Sequence, residues 1–275
     1  MTTSTGANVE QLIDEVTRIP VQPGAAMRLM RMLDDPRASA ESLGKVIESD
    51  ASLSARLIQL ANTSYYGLNA PVSSAWRAVT VVGLATLRSV VATAILDIGT
   101  AEGLSVPDGF WTHSMATAAA SGLLAPRMGV DPGEAFSAGL LHDVGTALVF
   151  RRARDRYDET IVRANEVPLL VAEREVLGVD HTELGARAVG ALGFGSEAID
   201  AIAAHHNTGP LPAFAACLRA ADALAAMVLE ETVAEAERDL DEALIAVNVA
   251  EHERQPLYQR VCELVDDLES LLGGS

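Results

Sequence analysis

The chain has 275 residues, of which 49% are hydrophobic and 21% charged, a composition that excludes an intrinsically disordered protein. Its 38 acidic residues outnumber its 20 basic residues, and the resulting net charge of −18 argues against nucleic acid or an anionic membrane as a partner. The two cysteines, Cys217 and Cys262, form neither a CxxC pair nor a disulfide framework, which excludes a zinc knuckle and favours a reducing compartment.

The sequence contains no evident targeting or membrane-spanning segment. The N-terminal residues MTTSTGANVE lack the basic and apolar regions of a signal peptide. The longest apolar stretch runs from Ala78 to Leu87 and is much shorter than the roughly 20 residues that cross a bilayer. We therefore expect a cytoplasmic protein.

The pattern of apolar residues predicts an all-α fold, because helical spacing recurs throughout and aromatic residues make up only 4%. We expect residues 1–8 to be a disordered tail and residues 9–100 to form an N-terminal lobe of five or more short helices. Ser39 is predicted to cap one of these helices and Gly67 to end another in a left-handed conformation, while Gly83 separates two more.

A segment rich in Gly, Pro and Asp, 101–109, is the best internal boundary, and residues 110–227 are predicted to form a second helical lobe. Asp131 and Asp180 each precede a Glu three residues on, which predicts two capped helix starts. The predicted helices of this lobe are 110–128, 135–150, 157–165, 169–177, 181–192, 197–206 and 213–229.

The remaining residues, 228–275, are predicted to form a helical extension, because their apolar residues follow a nearly heptad pattern. One interpretation is a hairpin that pairs with a second subunit in a homodimer, and the other is two amphipathic helices that pack on their own domain. Heptads this short favour the second interpretation. The apolar positions are Leu229, Val233, Ala236, Leu240, Leu244 and Val247, then Leu257, Val261, Leu264, Leu268 and Leu271.

Histidine and aspartate residues are the main candidates for chemistry. Together their side chains suit a divalent first-row metal, which can bind phosphate oxygens and activate water. The spacing alone favours structural roles instead, because no tight motif such as HExxH occurs. His142 and Asp143 are expected on one helix with side chains about 100° apart, so they share an ion only at the helix edge. The candidates are His113, His142, Asp143, His181, His205, His206 and Asp222.

These candidates stand in an order that resembles a known superfamily. The segments FWTHS, LLHDVG, DHTELG, AHHN and AADAL are similar to the HD superfamily of metal-dependent phosphohydrolases. The earlier run ESDASLSARLIQLANTSYYG, followed by PVSS and VGLATLR, resembles the HDOD family, the HD-related output domains of bacterial signalling proteins. The resemblance covers about residues 10–225.

The resemblance implies an N-terminal helical bundle joined to an HD-type helical lobe, and a divalent metal cofactor: Fe, Mn, Co, Ni, Zn or Mg. Residues that match the primary metal ligands are His113, His142, Asp143 and Asp222. Residues that match the additional ligands of two-metal branches are His181, His205 and His206. If the chain is an active enzyme, the resemblance implies that His142 and Asp143 are its catalytic residues.

Two departures from the superfamily bear on activity. Branches with phosphodiesterase activity often read HDxGK, but Thr146 stands in place of the lysine that would neutralise phosphate charge. The GYP signature of cyclic-dinucleotide phosphodiesterases is also absent. We therefore expect a regulatory signalling protein that binds a signalling protein partner or a small ligand. The alternative function is that of an active phosphohydrolase or phosphodiesterase that acts on a nucleotide or cyclic nucleotide. A nucleotide messenger is the alternative to a protein as the binding partner.

Overall fold

The described residues fold into helices and one 3-10 turn, Ser64–Tyr66, with no strand among them, as the sequence predicts. A computed structural model describes residues 9–10, 12–14, 24–96, 98, 106–229 and 234–272. The N-terminal helices are α1 (Ala25–Leu33), α2 (Ala40–Ile47), α3 (Ala51–Ala61) and α4 (Ala75–Ile95). The central helices are α5 (Phe110–Met128), α6 (Pro132–Leu141), α7 (Val144–Arg152), α8 (Arg154–Ala164), α9 (Leu169–Val176), α10 (His181–Ala191), α11 (Ser196–Ala204) and α12 (Ala213–Val228). The C-terminal helices are α13 (Ala234–Ala246) and α14 (Glu251–Leu272).

The helix starts follow the predicted capping residues. The Ser39 side chain accepts a hydrogen bond from a backbone N–H in the first turn of α2. The carboxylates of Asp131 and Asp180 do the same for α6 and α10. Each cap satisfies a backbone donor that the helix itself leaves unpaired. These local contacts place the first turns of α6 and α10.

Helix α4 is interrupted where the sequence predicts. Gly83 has φ 80° and ψ 171°, a backbone conformation that a residue with a Cβ rarely adopts. Among the described residues, α4 is the one helix long and apolar enough to cross a membrane. However, 61% of its most apolar 18-residue stretch is buried inside the protein. Such burial is typical of a core helix, and the cytoplasmic location stays a prediction.

The N-terminal helices share one hydrophobic core with the central helices. Helix α4 packs against α6, and the ring of Tyr65 lies 5.0 Å from the ring of Phe136. Burial raises the pKa of Tyr65 to about 12. The predicted boundary, 101–109, lies largely outside the described residues, as does the predicted tail, 1–8, so the division into lobes stays a prediction.

The C-terminal helices pack on their own chain. Helix α13 contacts α12, and α14 contacts α5. Arg127 of α5 forms a 2.9 Å ion pair with Glu253, and Arg260 donates to the Ser64 carbonyl at 3.2 Å. The apolar positions that are buried in this way are Leu240, Leu244, Val247, Val261 and Leu264. Val233 and the side chains of Ala236, Leu268 and Leu271 lie outside the described residues, and the homodimer stays a prediction.

The two cysteines are expected to differ in reactivity. Cys217 is fully buried in α12, whereas Cys262 is partly exposed in α14. Burial raises the pKa of the Cys217 thiol to about 12, so at about pH 8 the reactive thiolate is absent and the sulfur is out of reach. We expect a disulfide reagent to titrate one thiol quickly in the folded protein and the second only after unfolding. A Cys262→Ser variant should lose the fast phase, and two fast thiols in the native protein would contradict the prediction.

Candidate metal centre

The junction of α6 and α7 corrects one prediction. The expected continuous helix, 135–150, is wrong, because α6 ends at Leu141 and α7 begins at Val144. Asp143 leaves the regular helical conformation, with φ −99° and ψ 14°. The Nε2 atom of His142 therefore lies 3.4 Å from Oδ2 of Asp143. The interruption lets two adjacent side chains reach the same point, which an unbroken helix would not.

A first set of candidate ligands meets at this junction. The Nε2 atom of His113, on α5, lies 3.2 Å from Nε2 of His142 and 3.0 Å from Oδ1 of Asp222, on α12. Oδ1 of Asp222 is also 3.4 Å from Nε2 of His142. The first set consists of His113, His142, Asp143 and Asp222.

A second set adjoins the first and shares Asp143 with it. Oδ1 of Asp143 lies 3.3 Å from Nε2 of His181 and 3.5 Å from Nε2 of His205. One ligand atom from each member of the second set lies within 4.8 Å of every other. The second set consists of Asp143, His181, His205 and His206. The structure thus brings all seven candidate residues together, and their binding of a metal stays a prediction.

The histidine rings are held by hydrogen bonds on the side away from the cluster. Nδ1–H of His142 donates to the Gly139 carbonyl at 2.8 Å, and Nδ1–H of His205 donates to the Ile202 carbonyl at 2.7 Å. A carbonyl oxygen only accepts, so each ring keeps its proton on Nδ1 and offers the Nε2 lone pair to the cluster when neutral. This is the arrangement in which imidazole ligates metals.

Three buried atoms in the second set lack hydrogen-bond partners. They are Oδ1 of Asp143, Nε2 of His181 and Nε2 of His205. Leaving a buried polar atom unpaired costs about 1–3 kcal/mol, and these three atoms face one another. Two imidazoles and a carboxylate are ligands of divalent first-row metals. The residues therefore fit a metal ion, which would satisfy all three atoms.

The cluster contains two anionic carboxylates, and in the metal-free protein Asp143 outweighs burial and holds the pKa of His142 well above its usual range. Burial alone would raise the pKa of Asp143, but the adjacent His142 outweighs it and holds that pKa well below its usual range. The pKa of Asp222 is likewise held well below its usual range, because hydrogen bonds to His113 and His142 outweigh burial. Desolvation and repulsion from His205 lower the pKa of His206 to about 3, which leaves this ring neutral at pH 7. Two anionic carboxylates and a neutral imidazole are thus available as ligands.

The cluster opens to solvent on one side. The His206 side chain is 35% exposed and that of Asp143 is 24% exposed, whereas those of His142 and His205 are fully buried. Solvent therefore reaches the cluster at His206 and Asp143, while His142 and His205 lie inside the protein.

One residue that contacts the cluster was missed at the sequence level. Glu173, on α9, is 4% exposed, and its carboxylate accepts a hydrogen bond from Nδ1 of His181 at 2.8 Å. Nothing in the segment AEREVLGVDH distinguishes this acid from the chain's many others. Its position eight residues before His181 becomes informative only once α9 and α10 are packed together.

An all-helical fold that gathers a His-Asp pair and further histidines around one point defines the architectural class of HD-type proteins. The chain belongs to the HDOD domain family, whose model matches residues 19–208. Six of the seven candidate ligands fall within this match, and Asp222 lies beyond it.

Curated relatives are longer than this chain. An uncharacterised protein of Treponema pallidum is 25% identical over 223 residues, which cover 77% of this chain and 41% of the relative. Ribonuclease Y of Fervidobacterium nodosum is 32% identical over 115 residues, which cover 42% of this chain and 17% of the relative. The matched regions span less than half the length of these relatives.

Solved structures show the same fold over nearly the whole chain. A candidate phosphohydrolase from Shewanella amazonensis has a TM-score of 0.75 at 24% identity, with 97% of this chain and 98% of that chain covered. An HDOD domain protein of unknown function from Geobacter sulfurreducens has a TM-score of 0.71 at 22% identity, with 98% and 99% covered. These likenesses establish the helical architecture.

Proposed function

We propose that this chain is a bacterial signalling module whose central helices hold divalent metal ions and bind a small phosphorylated ligand without consuming it. The ligand-bound form is then recognised by a signalling protein partner. The observation that supports the metal ions most directly is the group of three buried, unpartnered atoms on Asp143, His181 and His205. Buried polar atoms are normally paired in native proteins, and a bound metal ion would pair all three.

The residues have separate tasks in this proposal. The first set would hold one ion, the second set another, and Asp143 would serve both. Bound divalent metal supplies positive charge that attracts phosphate oxygens. The carbonyls of Gly139 and Ile202 orient the rings of His142 and His205. Partial exposure of His206 leaves an entrance for the ligand.

Thr146 supports binding rather than turnover. It lies in the first turn of α7, where its backbone N–H donates to the Asp143 carbonyl at 3.0 Å. A neutral hydroxyl at this position adds no positive charge to stabilise a transferring phosphoryl group. We therefore expect phosphorylated ligands to bind and to be recovered unchanged.

Calorimetry combined with product analysis tests the proposal. Protein purified without chelator is loaded separately with Mn, Fe, Co, Ni and Mg and titrated with a panel of linear and cyclic nucleotides. We expect bound metal by elemental analysis, nucleotide binding that requires it, and intact nucleotide by ³¹P NMR after prolonged incubation. Folded protein that takes up no metal, or metal-loaded protein that binds no phosphorylated compound, would contradict the proposal.

A metal-dependent phosphohydrolase is the second candidate, and the shared carboxylate favours it. The two oxygens of Asp143 face different histidines, Oδ2 at 3.4 Å from His142 and Oδ1 at 3.3 Å from His181. A carboxylate between two metal positions is typical of sites that hydrolyse phosphoesters. Metal-dependent disappearance of a nucleotide in the same NMR experiment would establish this function in place of the first.

A further inference from the structure

Glu173 is a buried carboxylate that contacts the cluster through a single residue. It accepts a hydrogen bond from the backbone N–H of His181 at 3.0 Å and another from Nδ1 of its ring at 2.8 Å. Glu173 and His181 are 4% and 2% exposed. One side chain on α9 therefore contacts both the first turn of α10, which Asp180 caps, and the His181 ring.

This contact distinguishes His181 from the other buried histidines of the cluster. Nδ1 of His142 and of His205 each bonds to a backbone carbonyl three residues earlier, at Gly139 and Ile202. Such carbonyls are neutral and belong to the same helical segment. The partner of His181 is instead an anion from a different helix. A carboxylate on the outer nitrogen fixes the tautomer and makes the imidazole a stronger ligand.

The contact acts on the second set alone. His181 belongs to the second set and not to the first. Its Nε2 atom is buried without a hydrogen bond and lies 3.3 Å from Oδ1 of Asp143. We propose that Glu173 is a positioning residue that orients and strengthens His181 as a ligand, and thereby determines whether a second metal ion binds beside the first.

This inference rests on the proposed metal centre, and the experiment separates the two. Wild-type protein, Glu173→Gln and Glu175→Gln are each dialysed against Co²⁺, and bound cobalt is counted by elemental analysis. We expect the wild type to bind two equivalents of cobalt. In Glu173→Gln the dissociation constant of the weaker site should be about 10- to 100-fold higher. The visible absorption of the second cobalt should disappear as that cobalt is lost. Absence of cobalt from the wild type would overturn the metal centre, whereas two equally tight equivalents in Glu173→Gln would overturn the role of Glu173 alone.

Glu175→Gln is the matched control. Glu175 lies on the same helix, two residues away, and its carboxylate forms an ion pair with Arg163 at the surface. Its side chain is 47% exposed, so the same chemical change occurs there without contact to the cluster. We expect this variant to bind cobalt like the wild type.

A double variant distinguishes positioning from general damage to the fold. In a His181→Asn background the second site has already lost its ligand, so Glu173→Gln should cause no further loss of cobalt. If the double variant also loses the first equivalent, Glu173 supports the whole lobe rather than His181, and the inference is wrong. If Glu173→Gln proves unstable, Glu173→Asp is measured instead, both alone and combined with His181→Asn. The expected results are the same: loss of the second cobalt in the single variant and no further loss in the double variant.

Discussion

A Gly145→Ala variant is expected to be less stable by about 1–3 kcal/mol and to lose metal from the second set. A Cβ at this position would lie 2.8 Å from the carbonyl carbon and 2.9 Å from the Cα of His181, with the carbonyl oxygen closer still. These atoms are backbone and cannot rotate away. Helices α7 and α10 would therefore have to separate, which moves His181 away from Asp143.

Urea denaturation of the metal-free protein measures the first effect, and cobalt content measures the second. Gly190→Ala is the matched control, because Gly190 lies within α10 and a Cβ there would meet only the Ile199 side chain, at 3.5 Å. We expect that control to be more stable than the wild type by about 0.5–1 kcal/mol, since alanine favours the helix. Equal stability of the two variants would show that α7 and α10 tolerate a methyl group between them.

An Asp143→Asn variant is expected to lose both metal ions, with affinities lower by at least about 100-fold. Removing a residue that only orients a ligand lowers metal affinity by up to about 100-fold. Asp143 is itself a candidate ligand in both sets, so its loss should cost at least that much. Asparagine keeps the size of the side chain but removes the negative charge that both sets use. Elemental analysis after dialysis measures the loss.

Thermal unfolding provides a second measurement of the same effect. A metal present at 100 times its dissociation constant stabilises the folded state by about 2.7 kcal/mol, so added metal should raise the melting temperature of the wild type and not that of Asp143→Asn. Asp158→Asn is the control, because Asp158 forms an exposed surface ion pair with Arg154 at 2.9 Å. An Asp143→Asn variant that melts like the wild type when metal is added would show that Asp143 is not a ligand.

Much of the fold could be predicted because its determinants are local. Ser39, Asp131 and Asp180 cap helices through bonds to residues three positions away. Gly67 has the predicted left-handed conformation, with φ 57°, and Gly83, with φ 80°, interrupts α4 where the sequence predicts a separation of two helices. Contacts of this kind depend only on neighbouring residues, so the sequence contains all the information they require.

The C-terminal helices required more than local information. Their apolar spacing is equally consistent with packing against a second subunit or against their own chain. The described part of these helices packs on its own chain, because α13 lies on α12 and α14 lies on α5. The homodimer stays a prediction. Ion pairs such as that between Arg127 and Glu253 join positions 126 residues apart, and no periodicity predicts them.

The sequence by itself determined the helical class, the HDOD family and the identities of the seven candidate ligands, because residue types and their order carry these properties. Only the tertiary structure decided how the ligands meet. His113 and Asp222 are 109 residues apart in the chain but 3.0 Å apart in space. The break between α6 and α7, the sharing of Asp143 and the contact of Glu173 with His181 all depend on how helices pack. Packing is set by side chains distant in the sequence, and local propensity does not encode it.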